Sequence, residues 1–370
     1  MGSALNKLML KLNLYISLLL VMQSCLNEKS CDNGLYFLDT YALPNAKMSM
    51  GLPHDIIVSK INDPEFALYK SGKIEIYNLM LDSVIANYLI PFPLKNVKHI
   101  NFIDSANYCI CNDQYFSFCI EKKHGLIRLD SIVDGVYFLA NQPVIFIPEE
   151  KKIIVQVVDN REMQNRKYPM QFNFLWEFDI EKKKWRDLQL NYPEIYQDGS
   201  MLSHMTNLSY SQGLLVVSMD INELVWLYDF KKEKWSSVLV KAKSEKLSNS
   251  SGQKLDKLKR IEYKAFNDQH AEIYGKAFLE ENLQGIYRCY LERLPIQYSD
   301  STFSARKDKQ LKILYTPFDN SKKTLEYTLA GGRYFMRKNF WYSKNQIYHA
   351  KYQKEKSGDC YYLDVITFKR

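Results

Sequence analysis

The sequence predicts an all-β chain: a single β-propeller of six or seven blades behind an N-terminal lipoprotein signal peptide. Three observations carry that expectation. The phrase "LWEFDIEKKKW" (Leu175 to Trp185) is written again, fifty residues later, as "VWLYDFKKEKW" (Val225 to Trp235). Apolar residues in both copies fall on alternate positions, the period of a β-strand. The composition, 27 Tyr and 19 Phe against 14 Gly and 11 Pro, suits pleated sheets whose turns are made by Asn, Asp and Lys.

The chain opens on a segment that is not part of the fold. In "KLMLKLNLYISLLLVMQSC", Lys7 and Lys11 precede an apolar run from Leu12 to Met22, and Ser24 stands directly before Cys25. The run is shorter than the about 20 apolar residues a spanning helix needs, and it has the charge and length pattern of a signal peptide. A small residue before a cysteine resembles a bacterial lipobox. Residues 1–24 are therefore expected to be a lipoprotein signal peptide, with Cys25 lipidated and holding the protein on a membrane. Residues 25–50 follow as a lipidated tether and a first strand.

Residues 51–370 are assigned to the propeller. In the two copies Trp176 matches Trp226, Asp179 matches Asp229 and Trp185 matches Trp235. Each strand meets a Lys-rich turn too charged to bury, and the tryptophan after it reopens the apolar pattern on a return strand, so the unit is a β-hairpin. Looser echoes stand at "KIEIYNL" (Lys73 to Leu79) and "YFSFCIEKKHGLI" (Tyr115 to Ile127). Hairpins repeating at about 40 to 50 residues are the sequence signature of propeller blades. No Pro- and Gly-rich linker divides the region.

The net charge of +8 is concentrated between Lys241 and Arg260 ("KAKSEKLSNSSGQKLDKLKR"). Residues 241–260 read as a flexible basic inter-blade loop, solvated as charge runs usually are. No nucleic-acid module accompanies it, and no nucleic-acid partner is expected.

Outside Cys25 there are six cysteines: Cys31, Cys109, Cys111, Cys119, Cys289 and Cys360. Cys109 and Cys111 share one strand face at about 6.6 Å, near the limit for a disulfide. Cys119, on the next strand, faces one of them or neither, depending on the turn register. A bridge, buried free thiols and a three-thiolate metal site stay open, with metal the least favoured for want of a histidine at ligand spacing.

One stretch has the residue types of a catalytic or metal site. In "NDQHAE", Asp268, His270 and Glu272 alternate and would share a strand face. Asn267 and Asp268 are also turn formers, and the turn reading takes precedence. The other histidines, His349 among them, stand isolated, and no nucleophile elbow, zincin helix or phosphate-cradling loop is written. Neither a cofactor nor a metal is expected, and no catalytic residue is assigned.

Taken in order, Cys25, "KIEIYNLMLDSVIANYLIPF", "IDSANYCICNDQYFSFCIEKKHGLI", "LWEFDIEKKKW" and "IEYKAFNDQHAEIYGKAF" resemble a family of Bacteroidota lipoproteins with a β-propeller-like domain of unknown function. "FDIEKKKW" and "YDFKKEKW" are also similar to the Tyr-Asp to Trp hairpin of kelch propellers, without the double glycine that precedes it there. Neither resemblance implies a catalytic residue. The expectation is a monomeric, lipid-anchored binding or scaffolding module of the bacterial cell envelope. It is placed at the outer membrane, periplasmic-facing or on the surface, with a protein or glycan partner. The alternative is an exported hydrolase or lyase with its site at the propeller mouth.

Overall fold

The computed structural model describes residues 30–32, 36–42, 57–60, 65–70, 72–78, 81, 83–112, 114–128, 136–138, 144–159, 173–193, 206–220, 222–242, 273–291, 311–319, 321–329, 340–355 and 358–368. All the elements among them are strands, arranged in six antiparallel sheets. Cys25, the residues before it, residues 243–260, and Asp268, His270 and Glu272 lie outside the described residues.

β1 (Ser30–Asp32) and β2 (Tyr36–Ala42) come first in the chain but belong to the last blade. The first blade is β3 (Ile57–Lys60), β4 (Glu65–Lys70), β5 (Lys73–Asn78) and β6 (Ser83–Leu89). The second is β7 (His99–Asp104), β8 (Asn107–Cys111), β9 (Tyr115–Ile120) and β10 (Lys123–Arg128). The third has its axial strand in two pieces, β11 (Val136–Phe138) and β12 (Val144–Ile147), both paired with β13 (Lys152–Asp159), followed by β14 (Leu175–Asp179) and β15 (Lys184–Asp187). β16 (Thr206–Ser211), β17 (Leu214–Met219), β18 (Leu224–Asp229) and β19 (Lys234–Leu239) form the fourth blade. β20 (Ile273–Leu279), β21 (Gly285–Leu291), β22 (Leu311–Pro317) and β23 (Leu325–Thr328) form the fifth. The sixth takes β24 (Phe340–Ser343), β25 (Gln346–Glu355) and β26 (Gly358–Phe368) from the end of the chain, and β26 pairs with β2 over Tyr36 to Ala42. The ring thus has six blades, and strands from both ends of the chain close it. The boundary at residue 51 falls inside the propeller, because two strands of the sixth blade precede it.

Every blade is covered on both sides, which explains why apolar residues fill both faces of so many strands. Ile76, Tyr108 and Cys119 share a core between the first two blades. Cys111, Val155 and Phe178 share one between the second and third. Leu175, Val217 and Tyr228 belong to the next, Val225, Tyr274 and Ile286 to the one after, and Cys289, Ile347 and Ile366 to that between the fifth and sixth. Phe66 closes the ring against Trp341 and Tyr348, with centroids at 6.0 and 5.6 Å. The single-faced burial that alternation implies is therefore incomplete. Glu177, on the face opposite Trp176 and Phe178, is only 3% exposed, since the fourth blade covers it.

The four hairpin echoes occupy equivalent places: β5, β9, β14 and β18 are each the third strand of a blade. Asp179 and Asp229 set the turns of the two closest copies. The Asp179 carboxylate accepts from the Lys182 backbone N–H at 2.9 Å, and that of Asp229 from Lys231 and Lys232 at 2.9 and 3.1 Å. Lys183 and Glu233 take the left-handed conformation that lets each chain turn back (φ 54° and 49°). Trp176 and Trp226 are half-buried, each facing the preceding blade.

Candidate functional site

The connections divide the ring into two unlike ends. At one, the links between first and second and between third and fourth strands are turns such as 105–106, 121–122, 180–183, 212–213 and 230–233. At the other, residues 43–56, 160–174, 188–205, 240–272, 292–310 and 329–339 leave and re-enter the strands. The candidate site is the buried polar layer just below this second end, where the described residues place polar side chains that sequence reading did not single out.

Three arrangements build that layer. Between the third and fourth blades, Gln156 donates to the Tyr192 hydroxyl at 2.8 Å and accepts from the Thr206 hydroxyl at 2.5 Å. Gln156 is fully buried, and burial also pushes the Tyr192 hydroxyl pKa up. Within the fourth blade, Asn207 donates to the buried Asp220 carboxylate at 3.3 Å, and the Asp220 carbonyl accepts from the Tyr274 backbone N–H at 2.7 Å, joining the fourth blade to the fifth.

The third arrangement surrounds a β-bulge. The register of β20 against β21 shifts between Tyr274 and Ala277, so Gly275 and Lys276 both stand opposite Cys289. Arg288, fully buried, holds this irregular backbone by donating to the carbonyls of Met219 at 2.8 Å, Glu223 at 3.1 Å and Gly275 at 3.4 Å, with its guanidinium over the Tyr274 ring at 4.4 Å. Ser218 donates to the Gly275 carbonyl at 3.0 Å. The bulge presents Lys276, whose ammonium lies 5.5 Å from the Phe278 ring centroid. Desolvation lowers the Lys276 pKa to about 8, only partly opposed by the neighbouring Cys289. An amine so placed is partly neutral near pH 8 and can serve as a proton donor or acceptor or hold an anion.

On the sixth blade His349 and Asp364 are direct cross-strand partners, both fully buried, with Nδ1 and Oδ2 3.9 Å apart and the imidazole stacked on Phe340 at 4.2 Å. The histidine that stood isolated in the sequence therefore has a carboxylate beside it. No periodicity reveals that pair, because fifteen residues and a hairpin separate its members.

The cysteine alternatives narrow. Cys119 pairs with Tyr108, and Cys109 with Phe118, so Cys119 faces the first blade while Cys109 and Cys111 face the third. The three thiols do not converge, and among the described residues Cys109, Cys111, Cys119 and Cys289 are buried and form no disulfide. Burial raises the Cys109 and Cys289 thiol pKa values well above the usual range.

No family model matches this sequence. Nor does any curated protein. Among solved structures, a DUF4221 family member from Bacteroides vulgatus is similar with a TM-score of 0.64 at 11% identity, over 92% of this chain and 99% of that one. A streptogramin B lyase covers 92% of this chain and 100% of its own at 9% identity, TM-score 0.41. The β-propeller domain of Cps50 (Swd1) from Myceliophteria thermophila covers 84% and 82%, also at 9%, TM-score 0.40. The first of these likenesses is one of fold: this chain shares the β-propeller architecture of a protein from a Bacteroidota family.

Proposed function

We propose that this protein is a lipid-anchored, extracytoplasmic binding or scaffolding module that engages a protein or glycan partner through the end of the ring where the long connections leave and re-enter the strands. The observation that carries the reading is the inequality of the two ends. The links at one end are at most seven residues long (318–324), while those at the other include connections of 11 to 33 residues. A scaffold that varies its connections on one face and keeps the opposite face closed has the organisation of a recognition surface. The lipid at Cys25 supplies the membrane partner, and export to the cell envelope follows from the leader before it.

The test is in-cell photocrosslinking from described positions at both ends. Lys95 and Lys241 lie at the connection-bearing end, Lys182 and Lys232 in the tight turns opposite. The same partner captured from both Lys95 and Lys241, and from neither Lys182 nor Lys232, is the expected result. Equal capture from both ends removes the proposal.

A further inference from the structure

The outer strands of the blades differ in what they show to solvent. In the second, fourth and fifth blades the described outer strand exposes a single large apolar residue: Leu126, Leu239 or Leu325. The first blade exposes two in its outer strand, Ile85 and Leu89, and two more in the residues flanking it, Leu81 and Phe92, with Leu89 at 78%. They run from the tight-turn end at Leu81, along β6, to the connection-bearing end at Phe92. Ala86 and Tyr88 turn towards the second blade, so Leu89 turns the other way, towards the sixth. Lys73 pairs directly with Leu89 across the strands and is exposed beside it.

The position of this strip argues for its occupant. The sixth blade is the neighbour on that side, as Phe66 against Trp341 shows, and its outermost strand is β1, beginning at Ser30. Cys25 stands five residues earlier, a stretch that reaches at most about 18 Å when fully extended. A lipid on Cys25 therefore enters the bilayer close to the outer rim where the sixth and first blades meet. An apolar strip with Lys73 at its edge suits that place, because leucine and phenylalanine enter the acyl boundary while a lysine reaches the headgroups. An added protein strand suits the same edge poorly. Ile85 is the extra residue of a bulge between the Ile76 and Tyr77 pairings, and Pro91 and Pro93 lack backbone donors, features that blunt a sheet edge.

We infer that the outer edge of the first blade, Leu81, Ile85, Leu89 and Phe92 with Lys73, lies against the bilayer that the Cys25 lipid enters, so that the propeller stands on its rim. The inference rests on the anchor proposed above. In this orientation neither flat end of the ring faces the membrane.

Leu239 provides a matched control. Like Leu89 it ends an outer strand and is exposed, at 54%, but it belongs to the fourth blade, diametrically across the ring. A photoreactive phenylalanine analogue placed at 89, 92 or 239 of the full chain in cell envelopes, with lipid adducts counted by mass spectrometry, reads the contact directly. The expected result is roughly tenfold more lipid adduct at 89 and 92 than at 239, the ratio set by a contact preference of about 1.4 kcal/mol. Equal adducts at all three sites, or protein in place of lipid at 89, overturn the inference. The anchor is read separately, from acylation of Cys25 in the wild-type chain. Acylation without contrast between 89 and 239 leaves the anchor standing and the edge contact refuted. Contrast without acylation supports the edge contact and removes the anchor.

Discussion

Trp185 and Trp235 occupy the same place in two copies of one hairpin, yet replacing each by phenylalanine should have different costs. Both indoles are half-buried after a Lys-rich turn, and each faces the aromatic residue opposite it, Phe178 at 5.0 Å or Tyr228 at 4.9 Å. The apolar area lost on truncation to phenylalanine is therefore similar. The polar terms differ. Trp235 donates its indole N–H to the Leu188 carbonyl in the third blade at 2.7 Å, whereas the buried Trp185 N–H has no hydrogen-bond partner among the described residues. Losing the first bond costs about 1 kcal/mol net, and more where the carbonyl is left dry, while removing an unpaired buried donor relieves a penalty of the same order. Trp235→Phe should thus be more destabilising than Trp185→Phe by about 2 kcal/mol. With a urea slope of about 3 kcal/mol per M, that gap separates the two midpoints by roughly 0.7 M. Coincident midpoints, or a lower midpoint for Trp185→Phe, would refute the assignment of the Leu188 bond as an inter-blade tie.

Three further outcomes are expected. A methyl group at Gly285 would meet the Thr316 carbonyl oxygen and the Tyr315 ring at 2.7 Å, so Gly285→Ala should destabilise by about 1 to 3 kcal/mol, measured by urea unfolding. Hydrogen bonds from Lys232 and Lys231 hold the Asp229 pKa low, those from Ser321 do so for Asp319, and Arg186 does so for Glu233. In Asp179, burial works against the bonds from Lys182, which prevail. The folded chain consequently binds fewer protons than the unfolded one as these groups titrate. Stability is present above the ordinary carboxylate range and should fall as pH drops below about 4.5, with Asp229→Asn flattening that fall. Lys276 has the opposite charge type and a lowered pKa, so between about 8 and 10.5 the unfolded chain binds the extra proton and stability gains with rising pH. Subtracting the pH profile of Lys276→Met from that of the wild type should isolate this gain, and identical profiles would show the amine to be solvated.

The parts of the fold that were legible in the sequence are those fixed by neighbours along the chain. A strand of alternating aromatics, a carboxylate-capped lysine turn and a tryptophan on the return strand are contiguous, and they mark third strands in four blades. Ring closure was not legible, because β2 and β26 pair across almost the whole chain and neither carries a signal for the other. Glu177 reads as an exposed strand position, but it is covered by the fourth blade, with Arg186 at 2.7 Å and Lys152 at 3.4 Å as its ion pairs. The buried polar layer escaped for a related reason. Arg288 looks like an ordinary strand residue until the bulge at Gly275 and the carbonyls of Met219 and Glu223 are brought round it.

The shared sixth blade has a consequence for biogenesis. A ribosome releases Tyr36 first and must add Phe368 before the two can meet. Until then the growing molecule is an open arc, in which each completed blade covers the face before it and leaves the outward faces of its first and last blades waiting for each other. Loss of β26 to a stop codon or a protease would cost far more than one strand, since it leaves the first-made segment without its partner and the circle without its clasp. Such an arrangement makes completeness of the polypeptide a condition of its shape.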